Sequence, residues 1–96
     1  MDISKADIVV SLAGRDAGEL FYVLNVDGNY ALLANGKTRK LENPKRKKLK
    51  HLRFATRSDS HVAAKIRSGD KVLNSELRRD LAIMAANSTV RTKEAE

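Results

Sequence analysis

Between Lys37 and Arg57 the chain holds ten cations: Lys37, Arg39, Lys40, Lys45, Arg46, Lys47, Lys48, Lys50, Arg53 and Arg57. The same stretch holds one acid, Glu42, so it carries +9. The remainder, with nine basic and eleven acidic residues, carries −2. Essentially the whole net charge of +7 therefore sits in one segment. Cations at that density repel one another, which favours an anionic partner over a general solubility surplus. The chemistry on offer is phosphate neutralisation with counterion release, the term that dominates nucleic-acid affinity. The competing reading is a solvated charge run. His51, inside the block, reads as a hydrogen-bonding or stacking residue. Arg15 stands apart, in a loop with Gly14 and Gly18. It either meets phosphate or a base edge, or pairs with Asp16 or Glu19.

Other chemistries lack their parts. There is no cysteine, which excludes disulfides and thiolate metal sites. His51 and His61 are the only histidines, too few for a zinc site, so no metal is expected. The acids Asp16, Glu19, Asp59, Asp70 and Asp80 show no catalytic pairing. Ser11, Ser58 and Ser60 have no recognisable base and acid partners. Gly14 and Gly18 are not a phosphate-cradling loop, because no Lys-Ser/Thr follows into a helix. The expectation is a non-enzymatic protein with no catalytic residue and no cofactor. No apolar run approaches the roughly 18–20 residues that span a bilayer. Met1–Lys5 has no basic stretch leading into an apolar one. A cytoplasmic protein with no membrane partner is expected.

The elements that must hold the cations read as short strands, then helices. Ile8, Val9 and Val10 form a β-branched strand run, bounded by Asp7 and Gly14. Ala13–Gly18 is a turn or loop, and Leu20–Val26 is a second strand. Asp27-Gly28-Asn29 is a tight hairpin turn into a third strand, Tyr30–Ala34. Asn35-Gly36 carries the same turn chemistry, and predicts a fourth strand over Thr38–Leu41. Pro44 breaks the pattern, and Lys45–Arg53 reads as a short extended edge strand. Phe21 and Tyr22 fall on opposite sides of their strand, so one is expected in the core and the other exposed. Of the aromatics, Phe21 or Tyr30 is the expected core residue, and Tyr22 the candidate for base stacking.

Further on, Val62, Ala63 and Ile66 share a helical face over 58–68, ending at Gly69. Asn74 is placed to cap a second helix over 75–87, with Leu77, Leu81 and Met84 as its apolar stripe. That stripe packs on the strands, on the preceding helix, or on a partner protein. The polar Ser88–Glu96 is expected to fray. The fold class is mainly β with C-terminal α: a small antiparallel barrel over residues 6–54, then a helical extension over 55–96.

The stretch Asp7–Val23, DIVVSLAGRDAGELFYV, resembles the KOW motif of ribosomal large-subunit proteins and transcription elongation factors. Its fixed glycine matches Gly18, where the chain turns sharply between two strands and a Cβ is expected to clash. Gly14 belongs to the same motif core. The similarity covers about residues 6–54, and the Pro44–Leu52 run, with its KRKKxKHL-like pattern, extends it. The resemblance implies an SH3-like barrel followed by two short helices. It also implies a ribosome-associated RNA-binding protein docking on structured, ribosomal RNA, with ribosomal or transcription proteins as further partners. Two rivals remain. One is a protein-interaction module docking on RNA polymerase, with an exposed apolar patch. The other is a DNA-compacting protein that binds duplex DNA as well as RNA.

Overall fold

The computed structural model describes residues 2–95, and side chains from 2 to 86. Five strands come in chain order: β1 (Asp7–Ser11), β2 (Leu20–Asp27), β3 (Tyr30–Ala34), β4 (Lys45–Lys48) and β5 (Leu52–Arg57). A 3-10 turn, Leu49–His51, joins β4 to β5, and two helices follow, α1 (His61–Ser68) and α2 (Asn74–Ala95). The strands form one antiparallel sheet in the order β4-β3-β2-β1-β5. The hairpin expected at Asp27–Asn29 closes with Asp27 opposite Tyr30, leaving Gly28-Asn29 as a two-residue turn.

The connection from β4 to β5 dictates the sheet's shape. In a flat sheet, four inter-strand spacings would hold these two edges about 19 Å apart. A three-residue 3-10 turn covers only about 6 Å. The sheet must therefore curl until its edges approach. Register shifts between Val23 and Asn25 in β2, and between Ile8 and Val9 against β5, supply local bends. The curl stops short of closure, because among the described residues no ladder joins β4 to β5.

Curling gives the sheet two apolar faces. Val9, Phe21, Val23, Ala31, Leu33 and Leu52 fill the inner face. Ile8, Tyr22 and Ala34 meet Val62, Ala63, Ile66, Leu77 and Leu81 of the helices on the outer face. Phe21 and Tyr22 do point to opposite sides, yet both are 0% exposed, because each side has its own core. The Leu77–Leu81 stripe of α2, with Met84 packed beside it, thus lies on the sheet and on α1. At the centre of this second core the Tyr22 hydroxyl meets Ser58 Oγ at 2.8 Å, Ser60 Oγ at 3.2 Å, and the Asp80 carboxylate of α2. Ser60 also donates to Asp80 at 2.8 Å, and caps α1 by accepting from the Ala63 N–H at 3.1 Å. Burial first, and Asp80's hydrogen bond second, push the Tyr22 phenol above its usual pKa.

Several expectations are corrected. No strand forms over Thr38–Leu41. The Asn35 side chain accepts from the N–H groups of Lys37 at 3.0 Å and Arg39 at 2.9 Å, so this donor pattern closes a local turn instead of opening a ladder. Lys45–Arg53 is not one strand: β4 ends at Lys48, and Arg53 belongs to β5. The sheet runs to Arg57, past the expected boundary at 54. Asn74 is the first residue of α2 and does not cap it; its side chain accepts from Leu41 N–H at 2.8 Å and donates to Glu42 at 2.6 Å. Nor is the second helix short. It continues past Asn87 to Ala95, through a stretch that lacks Gly and Pro and so meets only small propensity costs. Glu96, at the end of the expected frayed tail, lies outside the described residues.

The glycine argument also changes place. Gly18 has φ +89°, but a Cβ there would meet nothing within 4 Å. Its constraint is backbone conformation, not crowding. Crowding falls instead on Gly36, with φ +74°, where a Cβ would stand 2.1 Å from the Asn74 carbonyl oxygen. Arg78 donates to the Gly36 carbonyl at 2.6 Å, so this loop is where α2 docks. Gly18→Val should cost about 1–3 kcal/mol from backbone strain alone. Gly36→Ala should cost more, because α2 must also shift. Thermal melting of both variants checks this; a Gly36→Ala protein at least as stable as Gly18→Val would contradict it.

Candidate nucleic-acid interface

β4 alternates as a strand must. Lys45 and Lys47 lie opposite Leu33 and Ala31, whose side chains belong to the inner core. Arg46 and Lys48 lie opposite Leu32 and Tyr30, on the other face. One cation of the run is thereby drawn inside: Lys47 is only 9% exposed. Its stem runs along the inner core, and its ammonium crosses from edge strand β4 to the β1–β2 loop. There it donates to Ser11 Oγ at 2.6 Å, Ala13 O at 2.5 Å and Asp16 Oδ1 at 2.6 Å. Three donors meet three acceptors, so the buried charge is fully satisfied. Ser11 Oγ also donates to Asp16 Oδ1, at 2.7 Å.

Burial on its own would raise the Asp16 pKa. Hydrogen bonds from Lys47 and Ser11, with the charges of Lys47 and Lys45, outweigh that and hold the carboxyl below its ordinary value. Lys47 was expected among the phosphate-binding cations; the structure gives it a structural position instead. Arg15 was expected to pair with Asp16 or Glu19 if it did not meet RNA. Asp16 is taken by Lys47, and Arg15 is exposed with no ion pair among the described residues.

The other cations fall into groups. Lys48, Lys50 and Arg53 are exposed, and Lys45 and His51 half-buried, along β4, the 3-10 turn and the start of β5. Leu12 N–H donates to His51 O at 2.9 Å, so the loop carrying Arg15 lies against that turn. The loop carrying Arg15 thus adjoins the stretch that carries Lys48, Lys50 and Arg53. Arg46 is exposed, with its guanidinium 3.6 Å from the ring centroid of Tyr30. Lys37, Arg39 and Lys40 occupy the loop after β3, on the side where α2 docks. Arg57 ends β5 at the far end of the strand, 3.8 Å from Asp59 in an exposed pair that contributes little. Among the described residues, no group of three or more His, Asp or Glu side chains is disposed to hold a metal ion. No described helix is long and apolar enough to cross a membrane.

Sequence reasoning missed Ser11 and Asp16 as Lys47's partners. Period-2 alternation separates Lys45 and Lys47 from Arg46 and Lys48, but only the pairing with β3 says which pair faces inward. Comparison with protein-family models and with curated proteins returned no match.

Lys47→Met keeps the stem's bulk and leaves the half-buried Asp16 without its cation. Breaking a fully buried pair costs about 3–5 kcal/mol, and the partial exposure of Asp16 places the loss below that, which denaturant unfolding near neutral pH would measure. A carboxyl whose folded pKa is depressed contributes stability above its unfolded value of 3.8 and loses it as pH falls through the folded value. The gap between parent and variant should therefore narrow below pH 3.8. A gap unchanged there would show that Asp16 is not what holds Lys47.

Proposed function

We propose that this chain is a non-enzymatic RNA-binding module of the KOW type, its curled sheet an SH3-like barrel, acting on structured RNA such as ribosomal RNA. The observation that supports the reading is that Lys48, Lys50 and Arg53 are exposed along β4, the turn and the start of β5, and that the loop carrying exposed Arg15 is bonded to that turn through Leu12 N–H and His51 O. Phosphate contacts by such cations carry little sequence information, so the RNA is read by shape and phosphate position. The three-residue link between β4 and β5 and the bends in β1–β2–β5 are what a small barrel requires, and they support the SH3-like reading. The rival that docks on RNA polymerase calls for an apolar patch. The large exposed apolar residues among those described, Leu12, Leu73 and Ile83, come from three different segments.

The test removes the exposed charges and spares Lys47, whose loss would disturb the fold. In the variant with Arg15, Lys48, Lys50 and Arg53 changed to Gln, the slope of log affinity against log salt should shallow by about 3–4 units, at roughly 0.9 per duplex phosphate contact. The loss should be nearly uniform across RNA sequences, with the circular dichroism spectrum unchanged. A slope equal to the parent's would make the basic block a solvated surface. Equal affinity for duplex DNA would favour the DNA-compacting reading.

A further inference from the structure

At the tip of the β2–β3 hairpin, beside the basic stretch, a cleft of about 520 Å³ is lined by Asn29, Tyr30, Lys48, Leu49 and Lys50. Its shape is fixed by backbone: Leu49 N–H donates to Asn29 O at 2.8 Å, clamping the 3-10 turn against the hairpin. Its contents are unlike the rest of that stretch. Tyr30 is half-buried, and the Arg46 guanidinium lies over its ring, 3.6 Å from the centroid. The cleft thus has an aromatic wall that carries a cation over its ring, and Lys48 and Lys50 are also among its lining. Asn29 is exposed, and among the described residues its side-chain amide makes no hydrogen bond within the protein.

Phosphate neutralisation alone needs neither a planar stack nor a cleft. An unpaired nucleotide needs both: a π-face for the base, and cations for the phosphates on either side. We infer that this cleft receives a single extruded nucleotide, the base stacking on the Arg46–Tyr30 pair, the flanking phosphates meeting Lys48 and Lys50, and Asn29 reaching the base edge. The inference rests on the RNA-binding reading and narrows it: the preferred partner is folded RNA with a bulged or looped-out nucleotide, not an uninterrupted duplex.

The experiment compares an RNA hairpin carrying one bulged 2-aminopurine with its fully paired counterpart. The parent protein should bind the bulged RNA roughly tenfold more tightly and quench the probe, as base stacking does. Arg46→Lys keeps the charge and removes the plane; it should abolish the preference and the quenching while leaving affinity and salt slope on the paired RNA unchanged. Tyr30→Leu should act alike, and Arg46→Lys, at an exposed position, serves as the control against misfolding. Equal binding of the two RNAs by the parent would overturn the inference and leave the RNA-binding reading standing. A preference that survives Arg46→Lys would overturn the stacked pair as its cause. Binding of neither RNA at low salt would overturn the proposed function and this inference with it.

Discussion

The Lys47 ammonium, held by Ser11, Ala13 and Asp16, is the contact on which the geometry of the basic surface depends. The sheet is curled but unclosed, and no backbone ladder joins β4 to β5 among the described residues. Lys47 instead ties β4 by a side chain to the end of β1 and to the β1–β2 loop. Its net contribution to stability is modest, since desolvating two charges offsets most of their attraction. What it fixes is where the β1–β2 loop sits against β4. A one-residue slip of β4 would turn Lys47 outward and bring Arg46 or Lys48 over the inner core in its place. Because all four residues of β4 are cations, Asp16 would still face one, so the choice of which cations face solvent rests on the pairing of β4 with β3.

The helices stabilise the same arrangement from the other face. Tyr22, in the central strand β2, ties Ser58, the α1 cap Ser60 and Asp80 of α2 into one hydrogen-bonded cluster. Gly36 and Arg78 dock α2 against the loop after β3, next to Lys37, Arg39 and Lys40. The segment after β5 and the loop after β3 are thus both tied to the helices. Leu77 and Leu81 complete the outer core instead of forming a separate one.

Much of this was legible in the residues. A β-branched run marked β1, the apolar run Leu20–Val26 marked β2, Asp27–Asn29 marked its hairpin with β3, and the spacing of Val62, Ala63 and Ile66 with Gly69 marked α1 and its end, although the helix begins at His61 and not at 58, because Ser60 caps it. The failures share a cause: each depended on a partner distant in sequence. Asn35-Gly36 has hairpin chemistry, but the Asn35 side chain absorbs the N–H groups that a ladder would use. Tyr22 looked like a solvent-facing residue only while the sheet was granted one apolar face; α1 and α2 supply the second. Asn74 looked like a cap until Leu41 and Glu42 claimed its amide. Lys47 was indistinguishable from its neighbours, because inward and outward positions on a strand are assigned by cross-strand pairing. The candidate site was legible as a charge block, and its division into structural and exposed cations was not.

That division resolves an apparent conflict in the sequence. A run such as Lys45–Lys48 disfavours folding through self-repulsion, yet it occupies a strand with an unpaired edge, where β structure is most exposed to pairing with other chains. Charged edge residues deter such pairing, so the repulsion that costs stability also protects the edge. Asp16 brings one negative charge against Lys47, within reach of Lys45 as well, which limits the repulsion where the chain is most buried. The exposed cations need no such internal counter-charge if a polyanion supplies it. An edge strand that carries four cations and has one of them tied to the β1–β2 loop is thereby unsuited to pairing with another β-strand.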